Sequence, residues 1–121
     1  MSIHEQTMAK VNVSVDRNLK DLIEALSQFP ELQTVECDEQ KNGDAWVCFV
    51  YGNQEKSDAW KPLSKFVLST LGPSLMEEFG DRVTLNVQVT ESGSYRAEMT
   101  ASKAIIPAVS KAIRQMAKTA A

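Results

Sequence analysis

The chain has 121 residues, of which 43% are hydrophobic and 24% are charged, and its formal net charge is −3. That length suffices for one domain whose core needs no disulfide or metal to hold it together. Two cysteines are too few for a disulfide scaffold, and no apolar run approaches the roughly 20 residues of a membrane helix. The first ten residues, MSIHEQTMAK, lack the apolar stretch of a signal peptide. We therefore expect a single α+β domain over residues 1–121, cytoplasmic and with reduced cysteines.

The first two predicted elements follow from hydrophobic periodicity. Residues 9–15, AKVNVSV, alternate between apolar and polar side chains, which predicts a strand with one buried face. Residues 18–29 then show the i, i+3, i+4, i+7 spacing of a helix. The apolar positions of that stripe are Leu19, Leu22, Ile23 and Leu26. Asn18 is suited to cap the start of this helix and Pro30 to stop it.

The next segment, residues 34–51, contains both cysteines and reads as a β-hairpin. Asn42 and Gly43 lie between two strand-like runs, and an Asn-Gly pair favours a two-residue type I′ turn. This turn predicts that Cys37 lies directly opposite Cys48 on a buried face. We interpret the two as packed thiols that behave as small hydrophobic side chains. A redox-sensing pair is the alternative.

A second helix and a kink are predicted after the polar loop of residues 52–57. The helical stripe consists of Leu63, Phe66, Val67 and Leu71. Gly72 and Pro73 should end or kink this helix, because proline cannot donate the next backbone hydrogen bond. Ser74 and Glu77 then have the spacing of a capping box that would restart it.

The C-terminal part predicts a second hairpin and a last helix. Residues 82–89 and 94–100 alternate in polarity, and their apolar faces coincide if Val89 pairs with Ala97 and Val87 with Met99. The last helix has an apolar side and must have Pro107 near its beginning. That apolar side consists of Ile105, Val109, Ala112, Ile113 and Met116.

The predicted element order is β-α-β-β-α-β-β-α. It favours an α+β fold in which helices cover mainly one face of an antiparallel sheet. The first six elements follow the ferredoxin-like order, with an extra C-terminal strand and helix. In that order, 4-1-3-2, the third strand is central. This agrees with residues 46–51, WVCFVY, which are apolar on both faces.

The side chains of Val47, Phe49 and Tyr51 form an apolar ridge on one face of this third strand. The predicted register puts Glu36 and Asp38 of the neighbouring strand on the same face, which is typical of an edge strand. A ferredoxin-like sheet has helices on one face only, and the ridge is assigned to the open face, to which the first strand offers Lys10, Asn12 and Ser14. An exposed apolar ridge is typical of an interface or a ligand surface. A face-to-face homodimer or another protein partner would then be the simplest occupant. The alternative is that the N-terminal segment or the added C-terminal elements fold over the ridge and bury it.

The charge distribution is uneven along the chain. Residues 103–121 carry four basic and no acidic side chains, whereas residues 1–102 carry nine basic and sixteen acidic ones. We favour a solvated face that complements the helix dipole. A basic docking face made of Lys111, Arg114 and Lys118 is the alternative. The overall acidity argues against nucleic acid as the main partner.

Motifs that carry catalytic chemistry are sparse. The single histidine, His4, lies close to the N-terminus, and no phosphate-binding glycine motif occurs. The acidic residues around the first hairpin lack the spacing of a calcium loop and are better explained as charges that protect an edge strand. We expect no cofactor and no metal, and we favour a non-catalytic binding or oligomerisation module. The alternative is a small-molecule binder or enzyme with a pocket between the sheet face and the loop 52–57.

Overall fold

Two β-hairpins and the helices that flank them make up the described part of the chain. The computed structural model describes residues 13–39 and 43–120. The helices are α1 (Val13–Leu26), α2 (Trp60–Lys65), α3 (Gly72–Phe79) and α4 (Ile106–Ala120), and the strands are β1 (Leu32–Glu39), β2 (Asp44–Tyr51), β3 (Val83–Val89) and β4 (Tyr95–Ser102). The strands form one antiparallel sheet in the order β1-β2-β4-β3. The predicted α+β class with an antiparallel sheet is confirmed.

The N-terminal strand that the alternation predicts is not found where the structure describes the chain. Residues 13–15 belong to α1, and residues 9–12 lie outside the described part. The helix therefore begins before Asn18, which lies inside it and cannot be its cap. The sequence spacing of Val15, Leu19 and Leu22 also fits a helical period, and over this short stretch the two periods cannot be told apart.

The ferredoxin-like arrangement is not confirmed. In that arrangement the first strand lies between the third and the fourth. Here β4 occupies that position, between β2 and β3. The strand that the sequence treats as an addition is therefore central, and the two hairpins are joined through the pairing of β2 with β4. The expectation that β2 itself is central is confirmed.

The first hairpin has a different register from the predicted one. Cys37 pairs with Val47 and Glu36 with Cys48, one residue away from the register of a two-residue Asn-Gly turn. A β-bulge between Thr34 and Glu36 then shifts the pairing by one further residue. Because side chains alternate between the two faces, a slip of one residue moves a whole strand's side chains to the opposite face.

The second hairpin keeps the predicted faces but not the predicted pairs. Val89 pairs with Tyr95 and Val87 with Ala97, two residues away from the expected register. The connection consists of residues 91–93 and not of the predicted residues 92–94, because the amide of Thr90 donates to the carbonyl of Ser94 over 2.8 Å. A shift of two residues preserves the alternation, so the apolar faces of the two strands still coincide.

The helices pack their apolar sides on one face of the sheet. The buried cluster there combines strand residues with residues of α1, α2, α3 and α4. Its most buried large side chains include Leu22, Leu26, Leu63, Leu75, Met99 and Ile113. As predicted, Pro107 lies at the second position of α4, where its missing N–H costs no helical hydrogen bond.

The helix of residues 60–79 runs through Gly72 and Pro73 without ending. A π-helical segment (Phe66–Leu71) connects α2 to α3, and the amide of Gly72 donates to the carbonyl of Val67. The wider π turn accommodates a proline that lacks an N–H and whose ring would otherwise clash with the preceding turn. The predicted capping box is not formed, because Ser74 lies inside α3 and no side chain caps that helix at Leu71.

Candidate functional site

The predicted ridge lies under the helices. Val47 and Phe49 are 0% exposed and belong to the core cluster, and Tyr51 packs against it. The Tyr51 ring stacks on Phe66 with 4.4 Å between ring centroids. Burial, helped by the charge and hydrogen bond of Glu31, raises the pKa of the Tyr51 phenol. Of the two outcomes that the sequence leaves open, covering by other elements is the one observed, and these side chains fill the core.

The opposite face of the sheet carries the side chains that the sequence placed inside. Trp46 and Val50 of β2 alternate with the core residues of that strand and are half-buried. Trp46 is paired with Asp38 on β1 and with Thr100 on β4, so the indole lies near the middle of the sheet. Val35, the extra residue of the bulge, is 44% exposed. We call this surface of β1, β2, β4 and β3 the open face.

Among the described residues, acidic side chains outnumber basic ones on the open face. The register places Glu36, Asp38, Asp44 and Glu98 on this side, together with Arg96. The guanidinium of Arg96 lies 3.9 Å from the carboxylate of Glu98, which also accepts a 2.8 Å hydrogen bond from the side-chain amide of Gln88. The face therefore combines an apolar centre with a net negative charge.

The two cysteines form no disulfide and lie on opposite faces of the sheet. Cys37 faces the core opposite Val47, whereas Cys48 lies on the open face between Glu36 and Glu98. Both are buried, which agrees with the interpretation as packed thiols, but they do not face each other. A disulfide between them is excluded, because side chains on opposite faces of a strand pair cannot reach each other. Desolvation raises the pKa of Cys48 to about 11; Arg96 opposes this shift, and Glu98 and Glu36 add to it.

We expect both thiols to be unreactive in the folded protein. At pH 8, 5,5′-dithiobis(2-nitrobenzoate) should label neither cysteine in buffer and both in denaturant, because buried neutral thiols are poor nucleophiles. Since the folded pKa of Cys48 is the higher one, its contribution to stability is complete below pH 9.0 and is lost as the pH rises towards about 11. Rapid labelling of one thiol in buffer would contradict this burial.

The predicted basic docking face is only partly free. Lys111 and Lys118 are exposed on α4. Arg114, which lies between them, is held by α1: its guanidinium lies 2.6 Å from the carboxylate of Asp21 and 3.8 Å from that of Glu24. Arg114 thus joins two helices, and the surface that remains consists of two separated lysines.

The acidic residues of the first hairpin are not gathered into a metal site. Glu39 forms an ion pair with Lys103 on the core side of the sheet, whereas Glu36 and Asp38 lie on the open face. Within residues 13–39 and 43–120, no group of three or more His, Cys, Asp and Glu side chains is arranged to bind a metal ion. In the same residues, no helix has the length and apolarity to cross a membrane.

The loop 52–57 is exposed and ordered by its own hydrogen bonds. The side-chain amide of Gln54 donates to the carbonyls of Tyr51 and Gly52, and the Asn53 side chain accepts from the amide of Glu55. Gly52 has a φ of +82°, and a Cβ at this position would approach the Pro62 ring to 3.4 Å. These contacts fix the turn that leads from β2 into α2.

The sequence did not indicate the surface residues of β3, or those of the continuous helix formed by α2, the π-helical segment and α3. Leu68, in the π-helical segment, is 71% exposed, and Met76 on α3 is 41% exposed. Both line a groove of about 550 Å³ that also includes Val83 and Leu85 of β3. The helical stripe gave no sign of Leu68, since the π turn changes the angular spacing of the side chains that follow it.

Comparisons with known proteins identify no relative with which this geometry can be compared. No protein-family model matches the chain. No curated protein sequence is significantly similar to it, and no solved structure has a significantly similar fold.

Proposed function

We propose that the protein is a non-catalytic module whose open face binds a cationic segment of another protein. The observation that carries this proposal is the half-buried Trp46 at the centre of a face on which the described residues include four acidic side chains and one basic one. Trp46 offers apolar area and a π face, and both attract lysine and arginine side chains with their alkyl stems.

Three features support a protein segment as the ligand. The face is a sheet surface, which suits an extended or helical segment that crosses several strands. Val35 and Val50 extend the apolar area beyond Trp46, so alternate apolar side chains of a segment would find contacts. Asp38 of β1 is exposed on the same side and would pair with a basic side chain of the segment.

The test uses Trp46 as its own reporter. The chain has two tryptophans, so the Trp60→Phe variant leaves Trp46 as the only one. We expect a synthetic peptide of alternating lysine and leucine to shift the emission of Trp46 saturably, and the matching glutamate–leucine peptide to leave it unchanged. The affinity should fall as the salt concentration rises, since exposed charges are screened.

Variants locate the binding site. Asp38→Asn should weaken binding of the lysine peptide by about three- to tenfold. Glu55→Gln, which removes an exposed acid from the loop 52–57, is the matched control and should change nothing. Equal binding of both peptides, or a shift seen only with Trp60 as the reporter in the Trp46→Phe variant, would refute the proposal.

A further inference from the structure

The sheet has two edge strands, β1 and β3, and their chemistry differs. Within the described residues, each pairs with a neighbour on one side only. An edge strand presents unpaired backbone N–H and C=O groups that another strand can bind, and proteins commonly protect edges with charges or bulges. Whether each edge carries such protection indicates which of them is built to remain unpaired.

The β1 edge is protected and the β3 edge is not. β1 carries three acidic side chains, Glu36, Asp38 and Glu39, and its regular pairing is broken by a bulge. β3 has the sequence VTLNVQV, which contains no charge, no proline and no glycine, and its pairing with β4 runs through all seven residues without a shift. A flat, uncharged edge of this kind favours strand addition.

Exposed apolar side chains accompany the β3 edge. Of the five large apolar side chains that are exposed in the described part of the chain, three lie here: Leu68, Met76 and Val89. Val89 is at the end of β3 and is 68% exposed. Leu68 and Met76 line the same groove as Leu85, with Asp81 as the one charged residue among its described lining residues. A strand added beside β3 would place alternate side chains over this groove.

We infer that β3 pairs with the β3 strand of a second copy of this chain, in antiparallel orientation about a twofold axis near Asn86. Such pairing joins two four-stranded sheets into one of eight strands. On the side of the sheet that the helices cover, the groove, Leu68 and Val89 of one copy then lie against the same features of the other copy. A twofold contact needs only one self-complementary surface, and an edge without charge meets itself without repulsion.

The alternation of β3 is complementary to itself in this orientation. Antiparallel pairing about Asn86 sets Val83 of one copy opposite Val89 of the other and Leu85 opposite Val87 on the side of the helices. On the other side of the sheet Thr84 lies opposite Gln88, so polar side chains meet polar ones. A β1–β1 contact would instead set two rows of acids against each other. β4 separates the β3 edge from Trp46 on β2, so this inference does not depend on the proposed function.

The first experiment is sedimentation equilibrium of the untagged protein between about 1 and 100 µM, a range in which a dimer with a dissociation constant below about 10 µM is well populated. We expect a dimer. Asn86→Lys and Asn86→Asp should each raise the dimer dissociation constant at least about tenfold, because they place like charges at the twofold axis. An equimolar mixture of the two variants should dimerise again, which a mere folding defect could not produce. Gln33→Lys, on the exposed β1 edge, is the matched control and should leave the dimer intact.

A second variant tests the groove. Leu68→Glu should also favour the monomer while leaving the thermal unfolding of the monomer unchanged, because this side chain contributes little to the core. A wild-type monomer at all concentrations would overturn the inference. So would a dimer that Asn86→Lys and Leu68→Glu leave intact, or one that only open-face substitutions such as Trp46→Ala dissociate. If only the chain without residues 1–12 dimerises through β3, the edge is occupied by the chain's own N-terminal segment, and the inference is wrong for the full-length protein.

Discussion

Replacing Phe49 with alanine is expected to lower the free energy of unfolding by about 3–5 kcal/mol. The Phe49 side chain is 0% exposed. Its ring meets that of Phe66 edge-to-face, with 6.2 Å between centroids. The Phe66 ring centroid lies 4.9 Å from that of Phe29 and 4.4 Å from that of Tyr51. The substitution therefore leaves a cavity beneath an aromatic cluster that joins the sheet to the π-helical segment and to the turn after α1. Urea unfolding followed by circular dichroism measures the change.

The matched control for Phe49 is an exposed apolar residue. Leu68→Ala should change the free energy of unfolding of the monomer by less than about 0.5 kcal/mol, because surface substitutions rarely exceed that value. A small loss of stability for Phe49→Ala, combined with a change of oligomeric state, would show that this ring serves an interface and not the core. That result would support the sequence-based prediction that Phe49 belongs to an exposed apolar ridge at an interface.

Replacing Gly72 with alanine is expected to destabilise the protein by about 1–3 kcal/mol. A Cβ at this position would lie 2.5 Å from the carbonyl oxygen of Val67, the same oxygen that accepts the hydrogen bond of the Gly72 amide. Elsewhere in a helix the exchange of glycine for alanine stabilises by about 1 kcal/mol, so the expected sign is opposite to that of intrinsic helix propensity. Thermal and urea unfolding give the sign directly.

A double substitution separates the clash from other effects. If the π turn exists to accommodate Pro73, then Pro73→Ala allows an ordinary α-helical turn to form, and Gly72→Ala should cost less in that background. Ser74→Ala, at an exposed site in α3, is the control for general changes in helix propensity. Equal costs in both backgrounds, or a gain of stability from Gly72→Ala alone, would contradict this account of the π-helical segment.

The Cys37 and Cys48 pair shows how one residue of register changes an interpretation. The Asn-Gly pair correctly indicated a hairpin, but the observed pairing is one residue away from that of a two-residue turn. With the predicted register, Glu36 and Asp38 shared a face with Phe49, and the ferredoxin-like arrangement left that face open. With the observed register these acids share a face with Trp46 and Cys48. The open face was therefore assigned to the wrong side of β2.

Much of the architecture was determined by the sequence itself. The periods of hydrophobic residues predicted the two hairpins, α4 and most of α1. The apolar residues on both faces of β2 predicted its central position. These signals could be recognised because they are local and repeat over several residues. The tertiary structure alone decided three things: the place of β4 inside the sheet, the bulge that sets the register of β1, and the π turn that exposes Leu68. Each results from competition between contacts that are distant in sequence, where strand pairing and packing outweigh local preference. For the same reason, the open face and the β3 edge are recognised only once the strands are in place.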